Sequence, residues 1–177
     1  MQLKILDRKP EPRSWEGNGV RREFFSQWAE FELDGIPVSF EFSGDVPLLP
    51  GLGHLSPRSF GMNGGRLAIG RAVVEQGAGE GITATVLDRP AERRTWSGEG
   101  RTSEWYEQVA VLECDGVRSP FTARSDAPLS PGPATFDYRS FSVVNGRLQV
   151  ARSVILVPIT KIVKPGASSA VAAPVKG

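Results

Sequence analysis

Apolar and polar residues alternate along most of this chain with a period of two, and no segment sustains the 3.6-residue apolar spacing of a helix. In a first strand, Met1 to Arg8, Leu3, Ile5 and then Asp7 share one face, and Gln2, Lys4 and Leu6 share the other. A second strand, about Arg22 to Leu33, turns Phe25, Ala29, Phe31 and Leu33 inward and Phe24, Ser26, Trp28, Glu30 and Glu32 outward. Asp34-Gly35 is a two-residue hairpin signal leading into a third strand, Ile36 to Phe42, whose Pro37 predicts a sheet edge. After the turn-rich SGDVPLLPG come a short strand ending in Arg58-Ser59-Phe60, a tip from Gly61 to Gly65, and a last strand from Arg66 to Val74.

The same order then recurs. Arg13 to Leu33, RSWEGNGVRREFFSQWAEFEL, returns at a constant offset of 81 residues as RTWSGEGRTSEWYEQVAVLEC, Arg94 to Cys114. The offset runs without a gap from about Leu6/Leu87 to Val73/Val154, so the halves read as duplicated copies. In the second copy Tyr106, Ala110, Leu112 and Cys114 fall inward, and Trp105, Glu107, Val109, Val111 and Glu113 outward. Asp115-Gly116, Pro120, the Arg139-Ser140-Phe141 strand, the tip from Ser142 to Gly146 and the strand from Arg147 to Val157 complete it. Five short strands per copy with regular turn chemistry predict an all-β chain of two tandem five-stranded Greek-key barrels of the OB-fold type. They cover residues 1–76 and 82–163, with a flexible Gly-rich joint at 77–81 and a disordered tail at 164–177. A unit of about 80 residues buries only about 60% of its unfolded surface, so packing the two together would stabilise both.

The net charge of +1 over 177 residues does not by itself announce a polyanion partner. Placement says more. Pro10 and Pro12 close off regular structure and open a loop around which Arg8, Lys9, Arg13, Arg21 and Arg22 gather; Arg89, Arg93, Arg94 and Arg101 do the same in the second copy, with glutamates interleaved in both. Beside these loops stand the equivalent outward aromatics Phe24 and Trp105. They either pack against another part of the fold or offer flat ring faces to a ligand. Trp15, Trp96 and Trp28 join them by loop position and strand parity, and Arg71 and Arg152 repeat on the last strand.

Cys114, the lone cysteine, stands where the first copy has Leu33 and reads as a small buried hydrophobe. His54, the lone histidine, stands where the second copy has Thr135 and reads as a loop or strand-edge residue. No nucleophile–base pair, phosphate loop or metal-ligand spacing repeats between the copies, so no cofactor, metal or enzymatic activity is expected. With no apolar leader and no run of 18 apolar residues, the expected place is the cytoplasm, away from membranes.

Each copy resembles the gene V protein family, the helix-destabilising single-stranded DNA-binding proteins of filamentous bacteriophages. The likeness rests on the Arg/Gly loop leading through an aromatic into the second strand, on Pro50-Gly51 and Pro131-Gly132, and on a closing signature. That signature is S-F, a glycine-containing tip, then L-x-I/V-x-R: Ser59-Phe60 to Arg71 and Ser140-Phe141 to Arg152. The resemblance implies a sequence-tolerant protein that coats and protects single-stranded DNA during replication, in the cytoplasm of a bacterial host. It implies DNA contacts by Arg13, Arg21, Arg22, Phe24 and Arg71 in the first copy and Arg94, Arg101, Trp105 and Arg152 in the second. Trp15, Trp96 and Trp28 are not inherited from it. Family members are single modules that dimerise, whereas this chain holds two. The resemblance therefore implies a covalent pseudo-dimer, its pseudo-two-fold running through the Gly61–Gly65 and Ser142–Gly146 hairpins, and leaves open further self-association along DNA. Two other readings stand beside it: an RNA-binding pair of barrels, and a protein-binding scaffold or virion component, which the small net charge favours.

Overall fold

The structure of the chain, a computed structural model, describes residues 1–159. The tail from 164 lies outside them. The described residues are all-β, with sixteen strands and two single-turn 3-10 segments arranged in several sheets. The first copy supplies β1 (Gln2–Ile5), β2 (Glu11–Gly17), β3 (Val20–Leu33), β4 (Ile36–Gly44), β5 (Gly51–Leu55), β6 (Phe60–Asn63), β7 (Arg66–Ile69) and β8 (Val74–Gln76). The second supplies β9 (Thr83–Val86), β10 (Glu92–Gly98), β11 (Arg101–Cys114), β12 (Val117–Ser125), β13 (Gly132–Phe136), β14 (Phe141–Val144), β15 (Arg147–Val150) and β16 (Val154–Pro158). Among the described residues no helix is long and apolar enough to cross a membrane.

The parity of the long strands holds at the core: Ala29, Phe31, Ala110 and Leu112 are buried, and Phe25 and Leu33 half-buried. Two outward positions are buried as well, for separate reasons. The Ser26 hydroxyl donates to Glu41, and Val111 is flanked by Pro120 and Thr85 on the neighbouring strands. The inward Gln27 and Gln108 are pinned amides. Gln27 donates to the Leu48 carbonyl (2.8 Å) and accepts from the Leu48 N–H (2.7 Å); Gln108 does the same with Leu129 (3.0 and 2.6 Å), tying each proline-rich connection to the long strand of its own copy.

Several sequence expectations need correction. The first strand ends at Ile5, and Asp7 is exposed beyond it. The presumed Arg/Gly loops are regular: β2 and β10 pair along their length with the first halves of β3 and β11, forming two protruding ribbons. Pro12 fits because β2 is an edge strand with one neighbour. Pro37 and Pro120 sit on strands with two neighbours, but at the ends the second neighbour does not reach. Arg58-Ser59 and Arg139-Ser140 belong to 3-10 turns, where the buried serines staple the chain. Ser59 Oγ accepts from the Val73 N–H at 2.9 Å, and Ser140 Oγ from the Ile155 N–H at 2.8 Å. The last strands are each broken in two, leaving Arg71 and Arg152 in the bends between segments.

The copies also stop matching at these bends. Phe60 pairs with Ile69 and Phe141 with Val150, in step, but Leu55 pairs with Val74 where Phe136 pairs with Leu156. The second copy therefore has one more residue in the bend, which sends Val154 and Leu156 inward where the first copy sends Ala72 and Val74. In the second copy β16 lies parallel to β12 and antiparallel to β13, so β9, β11, β12, β16 and β13 close into a ring. In the first copy no ladder joins β4 to β8. Gly70 and Ala72, poor strand formers, occupy the stretch that would make it. The free edge of β4 instead takes β15 of the other copy, through the Arg147–Glu41 pairing and a 2.7 Å bond from the Glu41 N–H to the Gly146 carbonyl.

The two copies share one hydrophobic core. Phe60 packs on Phe136 and Phe141 (centroids 5.5 and 6.2 Å), and Phe31 stacks on Tyr138 (6.3 Å). Contacts occur in exchanged pairs, β15 with β4 and β7 with β12, the second 3-10 turn with β3 and the first with β11. Arg58 adds an ion pair with Asp115 at 3.0 Å, which raises the arginine's pKa. At the joint between the copies, Gly77 N–H bonds Leu52 O, Gln2 donates to Gly79 O, and the His54 ring lies against Gly79. His54 itself is on β5, its Nδ1 3.1 Å from the Gly77 carbonyl oxygen and its Nε2 3.2 Å from a Glu75 carboxylate oxygen. Cys114 is half-buried at the end of β11.

Candidate functional site

Each ribbon is built by a two-residue turn with both residues at positive φ, Asn18-Gly19 (50° and 73°) or Glu99-Gly100 (50° and 73°). Strands of seven residues extend about 24 Å from such a turn at ~3.4 Å per residue. Residues directly opposite each other share a face. The register puts Arg13 opposite Phe24, Trp15 opposite Arg22 and Gly17 opposite Val20, so Arg13, Trp15, Arg22 and Phe24 line one side. Arg21, opposite Glu16, belongs to the reverse side and pairs with Glu23 at 3.2 Å, so alternation removes it from the group. In the second ribbon Arg94 opposite Trp105, Trp96 opposite Ser103 and Gly98 opposite Arg101 place Arg94, Trp96, Arg101 and Trp105 together.

The exposed tryptophans lie back along their ribbons. A Cβ on Gly17 would overlap the Trp15 ring, and one on Gly98 would overlap Trp96, so W-x-G is a packing unit that holds each indole flat. Around the first ribbon this produces a cleft of about 580 Å³ lined by Trp15, Val20, Arg22, Phe24, Ser43 and Arg71. A second cleft, also about 580 Å³, shares Phe24, Ser43 and Arg71 with the first and runs on past Arg13, Glu41 and, from the other copy, Arg147 and Gln149. Among the described residues Arg22, Arg71 and Arg147 form no ion pair. Arg13 pairs with Glu11 at 2.8 Å and reaches Glu41 at 4.0 Å. Such exposed pairs are weak, and a phosphate can displace them.

Trp28 is not part of this channel. Its ring lies under the Asn145-Gly146 turn of the other copy, where a Cβ on Gly146 would stand 3.5 Å from it, and Arg8 stacks on it at 5.1 Å. In the second copy the position is Val109.

The second ribbon is more self-engaged. The Arg124 guanidinium stacks on Trp105 at 4.3 Å, and the Trp105 indole N–H donates to Glu107 at 3.0 Å. Arg94 pairs with both Glu92 (2.7 Å) and Glu107 (3.1 Å). The Trp105 hydrogen bond first, and then Arg94, hold the Glu107 carboxyl below the usual glutamate range. On the reverse side Arg93 bonds Glu104, lowering the carboxyl's pKa and raising its own. Arg101 and Arg152 form no ion pair among the described residues.

Sequence reasoning missed Ser43, Glu41, Arg124, Arg147 and Gln149. Ser43 and Arg124 occupy equivalent places, and the Asn18-Gly19 turn would have fixed the ribbon register that brings Arg22 beside Trp15. The reach of Arg147 across copies had no local signal. Among the described residues no group of three or more His, Cys, Asp or Glu side chains is placed to hold a metal ion. No family model, curated protein or solved structure matches this chain.

Proposed function

We propose that the chain is a pair of OB-fold barrels that binds unpaired DNA with little sequence preference, in the manner of the helix-destabilising proteins its motifs resemble. The supporting feature of the fold is the order of the second ring, in which the third strand of the barrel lies parallel to the fifth. The observation that carries the function is the convergence of Trp15, Arg22, Phe24 and Arg71 on one open cleft. A single strand presents phosphates at intervals with free base faces between them, and cations alternating with flat rings complement both. Each stacked base contributes roughly 1–3 kcal/mol by alanine substitution, whatever its identity. Duplex DNA hides those faces, so binding pulls the duplex toward its unpaired form by mass action.

Titrating intrinsic tryptophan fluorescence with oligo-dT tests this, with oligo-rU alongside to separate DNA from RNA. Quenching that salt reverses is expected, and Phe24→Ala with Trp105→Ala together should weaken binding by more than about tenfold while the β-type circular dichroism stays intact. Unchanged affinity in the double variant would end the stacking role. One observation favours the protein-binding alternative: Val46, Leu49 and Leu52 stand exposed on the first copy, Leu49 at 74%, where the second has Ala127, Ser130 and Pro133. A fluorescence signal indifferent to either oligonucleotide would turn attention to that patch.

A further inference from the structure

We propose that the second ribbon is a self-capped version of the first: Arg124 occupies the face of Trp105 that a base would take, so a single strand engages the Trp15–Phe24 cleft first and the second ribbon only at higher concentration. This rests on the base-stacking reading. A guanidinium is planar, delocalised and weakly hydrated, so it stacks on an indole much as a base does. Held on the adjacent strand, directly opposite Glu107, Arg124 competes with any incoming base at a high effective concentration. Glu107 fixes the ring beneath it through the indole N–H. The first copy has Ser43 and Ser26 at the equivalent positions; neither side chain can cover a ring, and Phe24 is left facing an open cleft. The duplication thus keeps the ring in both copies and adds the cap in only one.

The test uses the full chain and the tetranucleotide (dT)4, short enough to occupy one cleft, followed by calorimetry and tryptophan fluorescence. The wild-type chain should show one stronger and one weaker site. Arg124→Ser should tighten the weaker site by about threefold to fivefold, the scale of an exposed cation–π contact. Arg124→Lys should do nearly the same, because an ammonium keeps the charge but loses the flat stack. Ser43→Arg should weaken the stronger site by a similar factor. Two equal sites in the wild-type chain would overturn the proposal. So would a weakened second site in both Arg124 variants, which would make the arginine part of the stack the ligand extends. If the wild-type chain does not bind (dT)4 or longer oligo-dT at all, the base-stacking reading fails and the cap falls with it; two unequal sites unmoved by any of the three substitutions would sink the cap alone. Far-UV circular dichroism on each variant separates lost binding from lost fold.

Discussion

The two copies differ most in how each completes itself. The second closes its ring, through β16 against β12, and satisfies its own ribbon, with Arg124 over Trp105, Glu107 on the indole and Arg94 on Glu107. The first leaves its ring open at β4 and its ribbon open at Phe24, and it borrows β15, with Arg147, from its neighbour. Duplication has allowed a division of labour. One copy carries the closed framework, and the other presents an uncovered ring in a cleft that both copies line.

The sharpest way to break that comparison is at the shared core, where the closing hairpins exchange. Phe60 and Phe141 are equivalent, but Phe141 is 2% exposed inside a ring of Phe60 and Phe136, whereas Phe60 is half-buried. Phe141→Ala should cost about 3–5 kcal/mol, and Phe60→Ala clearly less, about 1–3 kcal/mol, in proportion to the smaller area returned to water. Urea unfolding followed by circular dichroism measures both, and the shared core predicts one transition in each case. Equal costs, or two transitions, would mean that the copies are independent and equivalent, against the asymmetry described above.

A smaller effect separates the ribbons. Gly17→Ala must displace the Trp15 ring and Gly98→Ala the Trp96 ring. Both sites are on exposed ribbons, so each should change stability by no more than about 0.5 kcal/mol. Gly17→Ala should nevertheless weaken (dT)4 binding at the stronger site by about fivefold, close to the lower limit for one stacked base. Gly98→Ala should leave that site unchanged. Equal losses from both would place the two indoles in one common site.

Much of this was legible in the sequence. Period-two alternation and the constant offset gave the β class and the duplication, and parity gave the inward faces of β3 and β11. The error at the presumed loops came from reading Pro10 and Pro12 as terminators, when an edge strand accepts a proline whose missing N–H would have faced solvent. That error cost the ribbon register, and with it the assignment of Arg21 to the reverse face. The extra residue in the second copy's bend was hidden because the apolar runs after the arginines, Val73-Val74 and Val154-Ile155-Leu156, align plausibly in either step. Trp28 differs for another reason: parity does turn it to the outward face of β3, but the neighbouring copy's Asn145-Gly146 turn, brought in along the open edge of β4, lies against its ring. Non-local contacts of that kind leave no trace in a local pattern.

The least of the expected effects, and the most specific to the second ribbon, is a dependence on pH. Glu107 is held below the ordinary glutamate range by the Trp105 N–H and by Arg94, whereas the equivalent Ser26 cannot titrate. A carboxylate whose folded pKa is depressed stabilises the fold fully above its unfolded pKa and loses that contribution as the pH falls through the lower, folded value. Acidification should therefore leave Trp105 emission steady through the usual glutamate range and shift it only below, as the protonated carboxyl gives up its hold on the indole and on Arg94. Glu107→Gln should abolish that shift while retaining a side-chain oxygen to accept from the indole. The tryptophans of the first copy should not report it. A shift centred in the ordinary glutamate range would mean that the carboxylate is not held by these partners, and the cap on Trp105 would lose the bond that fixes the ring beneath Arg124.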